Sequence, residues 1–208
     1  MSTRIYLIRH AATAANESHP AILQGCNVDR PLSETGKRQA GAMAEFLAAT
    51  PLQAIYSSPL SRAVATAEAI AATHAGLPVN TVDDLREANV GVWEKMTWEQ
   101  VMQEYPYEHK AFVDGQPEVA YLGGESYLDV LHRVRPVINS LGDRHDGETI
   151  AVVAHHVVNR MYVADLLSVP LNLARWVRQE NTGINVINYD GPKTQLLTLN
   201  SHFHLATI

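Results

Sequence analysis

An arginine and a histidine stand side by side at the point where an apolar, β-branched run, residues 5–8, ends. The guanidinium of Arg9 offers a fixed fork of donors that suits a phosphate or a carboxylate. The imidazole of His10 can act near neutral pH as a base, a nucleophile or a metal ligand. A buried parallel strand whose carboxyl end delivers charged groups to a crevice has this pattern. Two polar residues that cap an edge strand would have it too, so the pair alone does not choose between the two interpretations.

A second strand and a strand-to-helix junction supply partners for this pair. Residues 149–154 form the clearest central strand of the sequence, and this strand also ends in a histidine, His155. Because parallel strands end at the same edge of a sheet, His10 and His155 can face one another. Arg62 lies at a strand-to-helix junction, where the amides of a helix favour an anion. We therefore predict that Arg9 and Arg62 clamp an anion beside the two histidines.

The elements that must position these residues alternate between strands and helices. Strands are predicted at the start of the chain and at 52–57, 79–82, 149–154, 184–189 and 196–199. Helices are predicted after the N-cap Ser33, over 59–75 with Ser58 as the cap, over 127–141 and over 157–167. Residues 97–113 are predicted as a pair of short helices that is broken near Pro106. Residues 14–32 are predicted as a long functional loop. Pro136 lies inside a helical pattern, so we expect a kink or a local disruption there. The alternation predicts an α/β fold, a three-layer α/β/α sandwich with a mainly parallel central sheet.

The composition limits the class of protein. A chain of 208 residues with 46% hydrophobic content can bury a core of its own, and we expect a single domain over residues 1–208. A formal charge of −6 argues against a nucleic-acid partner or an anionic membrane surface. No apolar run reaches the roughly 18 residues of a membrane span. The lack of a signal-peptide pattern and the single cysteine, Cys26, predict a cytoplasmic protein without disulfides, and Cys26 is not expected to be catalytic.

Further motifs follow one another in an order that resembles the histidine phosphatase superfamily, also called the phosphoglycerate mutase-like family. They cover nearly the whole chain: Arg9-His10 with Thr13 and Asn16; Gly25 with Asp29, Pro31 and Leu32; Ser57-Ser58-Pro59-Leu60-Ser61-Arg62 with Thr66-Ala67; Leu85-Arg86-Glu87; Gly91 with Trp93-Glu94; and Ala154-His155. The resemblance is to the phosphatase branch, and it implies the sandwich predicted above. It also implies a helical lid insertion at about residues 88–125, called the lid segment below.

The resemblance implies a phosphoryl-transfer role for the paired histidines and arginines. His10 would attack phosphorus as a neutral imidazole and form a phosphohistidine, with its other ring nitrogen held by a backbone carbonyl. Arg9, Arg62 and His155 would bind the equatorial oxygens and neutralise the charge that moves with the phosphoryl group. This chemistry implies no metal and no other cofactor.

The same resemblance assigns three further residues. Glu87 would be the general acid for the leaving alkoxide and then the general base for the water that hydrolyses the phosphoenzyme. Asn16 would add an amide donor near the phosphoryl group, and backbone groups around Gly25 would face the substrate. Glu94 is expected to be structural.

Four residues depart from the usual pattern of the family. Ala11, Lys95 and His156 stand where glycine is usual, and Ala12 stands where a carboxylate or another polar residue is common. Lys95 and His156 could enlarge a positive rim for a second anionic group of the substrate, so His156 is a candidate substrate-binding residue. The alternatives are a solvent-exposed Lys95 and a His156 that begins a helix and bonds to the backbone.

The function favoured by these residues is a metal-independent phosphomonoesterase that acts on a small phosphorylated metabolite. A phosphoglycerate mutase-type transferase is the nearest alternative, but Glu87 is not followed by a tyrosine, and up to residue 120 the lid segment holds only two lysines, Lys95 and Lys110. A non-catalytic phospho-ligand module would not need both His10 and Glu87, and a phosphohistidine-protein phosphatase would not need a lid.

Three other questions stay open at this point. A metal site built from His10, His155 and His156, or from His202 and His204, is disfavoured because the arginines would repel a cation. The lid segment is rich in aromatic residues that either stack on a substrate ring or form a small satellite core: Trp93, Trp98, Tyr105, Tyr107, Phe112 and Tyr121. A homodimer is left open as the assembly state.

Overall fold

Strands and helices alternate along residues 1–206, the part of the chain that this computed structural model describes. The last two residues of the predicted domain, 207 and 208, lie outside the described part. The strands are β1 (Thr3–Arg9), β2 (Ala54–Ser57), β3 (Val79–Thr81), β4 (Thr149–Ala154), β5 (Ile184–Tyr189) and β6 (Gln195–Ser201). The helices are α1 (Ala14–Glu17), α2 (Glu34–Leu47), α3 (Ser61–Ala72), α4 (Trp98–Glu104), α5 (Pro106–Asp114), α6 (Tyr127–Arg144) and α7 (His156–Leu166).

The strands form one mixed sheet in the order β3-β2-β4-β1-β5-β6. In this order, each neighbouring pair from β3 to β1 is parallel. Strand β5 is antiparallel to β1, and β6 is antiparallel to β5. Arg9 pairs with Ala154 in the register of β1 and β4, and Ser57 pairs with Val153 in that of β2 and β4. The three strands therefore end side by side, as the sequence predicted.

Helices cover both faces of the sheet. On one face, α2 and α3 bury Met43, Leu47 and Ile70 against Ile8, Ile55 and Val153. On the other face, α6 and α7 bury Val134, Ile138 and Val158 against Leu7, Ile150 and Val152. The three-layer α/β/α sandwich with a mainly parallel sheet is confirmed. No helix in the described part is both long and apolar enough to cross a bilayer.

The start of α3 differs from the prediction. The helix begins at Ser61 rather than at Pro59, and Ser58 does not cap it. The carboxylate of Asp29 accepts from the Ser61 amide at 2.9 and 3.0 Å, so the first free amide of α3 is satisfied from another loop. The Ser58 hydroxyl bonds instead with His155. The N-cap predicted for α2 is confirmed, because the Ser33 hydroxyl accepts from the Gly36 amide at 2.9 Å.

The lid segment contains the predicted pair of short helices, α4 and α5, and Pro106 is the first residue of the second. Its buried aromatic side chains join the core on the α6 and α7 face: Trp93 is fully buried, and the ring centroids of Phe112 and Tyr121 lie 4.3 Å apart, whereas Tyr107 is exposed. Residues 14–32, predicted as a loop, include α1. Helix α6 continues through Pro136 without ending there. The description of the chain as a single domain with a lid insertion stays a prediction.

Candidate active site

His10 lies immediately after β1, with 2% of its surface exposed. Its Nδ1 donates to the carbonyl of Ala11 at 2.7 Å. A carbonyl oxygen can only accept, so Nδ1 carries the ring proton and Nε2 keeps its lone pair. Burial, followed by the charges of Arg62 and Arg9, holds the pKa of His10 well below its usual range. His10 is therefore a neutral imidazole at physiological pH.

His155 follows β4 and packs against His10, with 5.1 Å between the ring centroids. It is fully buried, its Nε2 lies 2.7 Å from the hydroxyl oxygen of Ser58, and its Nδ1 has no hydrogen-bond partner in the described protein. Burial, and then Arg62, lowers the pKa of His155 well below its usual range. The prediction that two histidines meet at the strand ends is confirmed.

Arg62 is fully buried in the first turn of α3. Its two terminal nitrogens donate to the carbonyls of Val28 and Gly25 at 3.0 and 2.9 Å, and the Asp29 carboxylate lies 3.8 Å away. Its Nε is buried and has no partner among the described residues. Two main-chain oxygens thus fix the guanidinium plane, and donors remain for a ligand.

Arg9, the last residue of β1, is held in the same manner. Its Nη1 donates to the carbonyl of Gln179 at 2.7 Å, and its Nε is buried without a partner in the described part. Burial lowers the pKa of Arg9 to about 10, which leaves the guanidinium charged at neutral pH. The four side chains of His10, His155, Arg9 and Arg62 are called the cradle below.

Glu87 is 8% exposed and faces the same cavity as the cradle. Its carboxylate accepts from its neighbour Ala88 N at 2.8 Å, and both of its oxygens lie 3.2 Å from Val157 N, in the first turn of α7. The positive end of a helix favours a carboxylate in this position. The segment is held by Arg133, which donates to the carbonyls of Arg86 and Glu87 at 2.8 and 3.3 Å.

Asn16 turns its amide nitrogen toward the cavity. Its Oδ1 accepts from the Thr13 amide at 3.0 Å and lies 3.4 Å from the Asn181 side-chain nitrogen, which assigns the orientation of the amide. Asn181 also donates to the His10 carbonyl at 3.0 Å. Asn16 therefore lines the cavity, and its role as a donor to the phosphoryl group stays a prediction.

One cavity of about 390 Å³ is lined by seven of the eight predicted site residues: Arg9, His10, Asn16, Gly25, Arg62, Glu87 and His156. The eighth, His155, packs against His10. The arrangement can hold an anion between two guanidinium groups and present a neutral imidazole nitrogen and a carboxyl group to it.

Comparison with known proteins agrees with this geometry. The family model of the histidine phosphatase superfamily (branch 1) matches residues 5–202. The chain belongs to the histidine phosphatase superfamily.

Two curated members of the superfamily match almost the whole chain. Phosphoserine phosphatase 1 of Hydrogenobacter thermophilus is 34% identical, over 97% of this chain and 94% of its own length. Phosphoglycerate mutase-like protein 4 of Arabidopsis thaliana is also 34% identical, over 97% of this chain and 86% of its own length. The solved structure of a phosphoserine phosphatase mutant from Entamoeba histolytica in complex with phosphoserine has a TM-score of 0.87 at 27% identity. The match covers 98% of this chain and 99% of that one.

Two departures of this chain from the usual pattern of the superfamily now have a structural description. Lys95 is exposed, does not line the cavity and has a left-handed backbone with φ of 68°, which glycine adopts more readily. His156 is the first residue of α7, and its Nδ1 donates to the Gln179 carbonyl at 3.1 Å. Both residues follow the alternatives left open above, although His156 also lines the cavity.

Gly25 satisfies a local steric requirement of the backbone. Its φ is 59°, and a Cβ there would lie 2.2 Å from a carboxylate oxygen of Glu94. Glu94 in turn accepts from the Asn27 amide at 3.0 Å, a structural contact as predicted. Burial raises the pKa of the half-buried Cys26 thiol, so it stays protonated.

Sequence reasoning missed three residues of the site. Arg160 lies one turn after His156 on α7, so the spacing of four residues could have revealed it. Asn181 precedes β5, whose first residues reach the same sheet edge because β5 is antiparallel to β1. Arg133 had no sequence signal, since it acts through backbone carbonyls far away in the chain.

The structure also bears on the metal alternative. Among residues 1–206, no three His, Cys, Asp or Glu side chains form a group that could hold a metal ion. His204, one of the two tail histidines, bonds through Nε2 to the Thr182 hydroxyl at 3.0 Å.

Proposed function

We propose that this protein is a phosphatase of small phosphorylated metabolites that works through a phosphohistidine on His10. The observation that carries the proposal is the state of the cradle: a buried, neutral His10 whose Nδ1 proton is held by Ala11 and whose Nε2 is free. Two guanidinium groups with unpartnered buried nitrogens surround it. A phosphoryl group would supply oxygens to those donors.

In the first step, the phosphoryl group is bound by Arg9, Arg62 and the amide of Asn16. The Ser58 hydroxyl donates a hydrogen bond to His155 Nε2, so the ring proton of the neutral imidazole lies on Nδ1, and Nδ1 is a further donor to the phosphoryl group. His10 Nε2 attacks phosphorus, the P–N bond forms and the ester P–O bond breaks. The fixed donors stabilise the charge without having to reorganise, which is the main contribution a protein makes to phosphoryl transfer.

Glu87 handles the protons in both steps. Its carboxyl group gives a proton to the departing alkoxide oxygen, so that a neutral alcohol leaves. The carboxylate then takes a proton from water as the water attacks phosphorus, the P–N bond breaks and inorganic phosphate is released. Val157 N and Ala88 N hold the carboxylate at the cavity wall throughout.

Two observations support hydrolysis of a small substrate. The cavity of about 390 Å³ is close to the lower end of the usual range for small-molecule sites. The two lysines of the lid segment stay away from it: Lys95 is exposed, and Lys110 pairs with Asp114 at 2.5 Å. The relatives named above, a phosphoserine phosphatase among them, agree with a small phosphorylated metabolite as the substrate. We also propose that no metal takes part.

The test is a panel of phosphorylated metabolites and p-nitrophenyl phosphate, assayed with excess chelator. We expect acid-leaning hydrolysis that survives chelation, and rapid quenching with labelled substrate should trap an acid-labile, base-stable phosphoenzyme. His10→Ala should lower kcat by at least about 10⁴-fold and abolish the trapped label. His132→Ala, which removes an exposed histidine on α6, is the matched control and should change neither.

Three outcomes would argue against the proposal. Loss of activity in chelator would indicate metal chemistry. A labelled protein in His10→Ala would place the nucleophile elsewhere. Transfer from a bisphosphoglycerate to a monophosphoglycerate that outpaces hydrolysis would identify a mutase.

A further inference from the structure

A second cavity of about 270 Å³ lies beside the catalytic one. Trp98, Tyr127 and Arg160 line both cavities, so these three side chains form their common wall. The far side of the second cavity is built by α5 and by the 3₁₀ turn Leu171–Trp176, which contributes Arg175. The second cavity thus adjoins the catalytic one at two aromatic rings and an arginine.

The lining of the second cavity is positively charged. It includes Arg160 and Arg175 and no Asp or Glu. In the described part of the chain, neither arginine has a carboxylate within salt-bridge distance. Arg160 donates to a neutral acceptor, Nε2 of His156, and its buried Nε has no partner. Arg175 donates Nη1 to the Val113 carbonyl at 3.1 Å, which orients its guanidinium at the cavity wall.

The second cavity lies on the leaving-group side of the proposed reaction. An in-line displacement at phosphorus expels the leaving group on the side opposite His10, where Glu87 must reach its oxygen. Glu87 lines the catalytic cavity together with Arg160, Trp98 and Tyr127. A leaving group long enough to pass Glu87 therefore meets Arg160 and the two aromatic rings.

We propose that the second cavity binds the distal end of the leaving group and selects phosphomonoesters that carry an anionic group there. The anion, a carboxylate or a second phosphate, lies between Arg160 and Arg175, and the part that joins it to the ester passes Trp98 and Tyr127. A carboxylate or phosphate suits two guanidinium groups that have no acidic partner, because charge-assisted hydrogen bonds are stronger than neutral ones. The inference rests on the proposed phosphatase activity and specifies its substrate class.

The experiment compares ω-phosphooxyalkanoates of two to eight carbons with their methyl esters and with the α,ω-bisphosphates of the corresponding diols. We expect kcat/KM for the acids to rise with chain length and to exceed that for the esters by at least about tenfold at the best length. The bisphosphate arm decides which anion is preferred. p-Nitrophenyl phosphate, which has no distal anion, reports the phosphatase activity itself.

Arg175→Gln separates recognition from structure. It should bring the acid-to-ester ratio of kcat/KM close to one, whereas a structural defect would lower both values equally and leave the ratio unchanged. Arg144→Gln removes an exposed arginine at the end of α6 and should leave every value as in the wild type. Hydrolysis of p-nitrophenyl phosphate with equal kcat/KM for acids and esters would overturn the inference while the phosphatase proposal stands. Absence of hydrolysis for every compound would overturn both.

Discussion

The cradle and the wall formed by Trp98, Tyr127 and Arg160 are built in different ways. Three of the four cradle side chains, those of His10, Arg9 and Arg62, bond to main-chain carbonyls, and the fourth, His155, bonds to the Ser58 hydroxyl. The wall consists of side chains from α4, α6 and α7 that contact other side chains. Main-chain partners are present whatever the sequence, whereas side-chain partners change with it. The chemistry of this fold is therefore set by its backbone, and its selectivity by its side chains.

Arg62→Lys should give the largest effect on the cradle side after His10→Ala. A lysine keeps the charge but cannot donate to both Gly25 and Val28 while it also contacts a phosphoryl oxygen. We expect kcat to fall by about 10³-fold for every substrate, because the loss concerns the phosphoryl group that all substrates share. Steady-state kinetics on p-nitrophenyl phosphate and on an alkyl phosphate measure this.

The counterpart on the wall side is Trp98→Leu, whose effect should differ between substrates and should fall mainly on KM. Equal effects of Trp98→Leu on all leaving groups, or a dependence of the Arg62→Lys loss on the leaving group, would contradict the division between the two regions.

Glu87→Gln tests the boundary between the regions. The amide keeps the size of the side chain but cannot give a proton to the leaving oxygen. We expect kcat/KM to fall by about 10²–10³-fold for alkyl phosphates, whose alkoxide needs the proton, and by less than about tenfold for p-nitrophenyl phosphate, whose phenolate leaves without it. The ratio of the two losses is the measurement. Equal losses would mean that Glu87 positions the substrate and is not the acid.

The sequence predicted the cradle because its parts obey rules that one chain can display. Apolar runs that end in Arg9-His10 and in His155 identify parallel strands, and parallel strands end together. The sandwich and the pair of lid helices follow from the same alternation and from Pro106. The wall could not be predicted in this way. Arg160 belongs to it only because α7 is oriented so that its first turns face the cavity, and that orientation depends on packing against β1 and α6.

The wrong start predicted for α3 has the same origin. Ser58-Pro59 is a good local start for a helix, but α3 begins two residues later because the Asp29 carboxylate, 32 positions away from Ser61, caps it. The Ser58 hydroxyl is engaged by His155 instead. Long-range contacts at the site override the local signal.

The buried histidines of the site also predict a pH-dependent stability. His10, His155 and His156 are neutral in the fold, with pKa values well below the usual range because of burial. Below pH about 6.5 the unfolded chain binds protons at these three positions and the folded chain does not, so the free energy of unfolding decreases as the pH decreases. We expect a loss of about 4 kcal/mol between pH 7.5 and 5.5, from about 1.4 kcal/mol per histidine.

Urea denaturation without phosphate at the two pH values measures this loss. His10→Asn should reduce the loss by about a third, and His132→Asn, at an exposed position, should not change it. A His10→Asn protein that loses as much stability as the wild type would show that His10 does not contribute.

The smallest expected effect compares two left-handed backbone positions. On the cradle side the position is filled by Gly25, with φ of 59°, and in the lid segment it is filled by Lys95, with φ of 68°. A residue with a side chain is destabilised by about 1–2 kcal/mol in this left-handed conformation, and glycine avoids this cost. Glycine instead loses about 0.5–1 kcal/mol on folding, because its backbone is freer in the unfolded chain. Lys95→Gly should therefore stabilise the protein by about 0.5–1 kcal/mol in urea denaturation. Kinetic constants should stay unchanged, because Lys95 does not line the cavity. A destabilised Lys95→Gly protein would mean that contacts of the lysine side chain stabilise the fold by more than its left-handed backbone destabilises it. The backbone of the lid segment would then depend on a side chain, as the selectivity of the wall does.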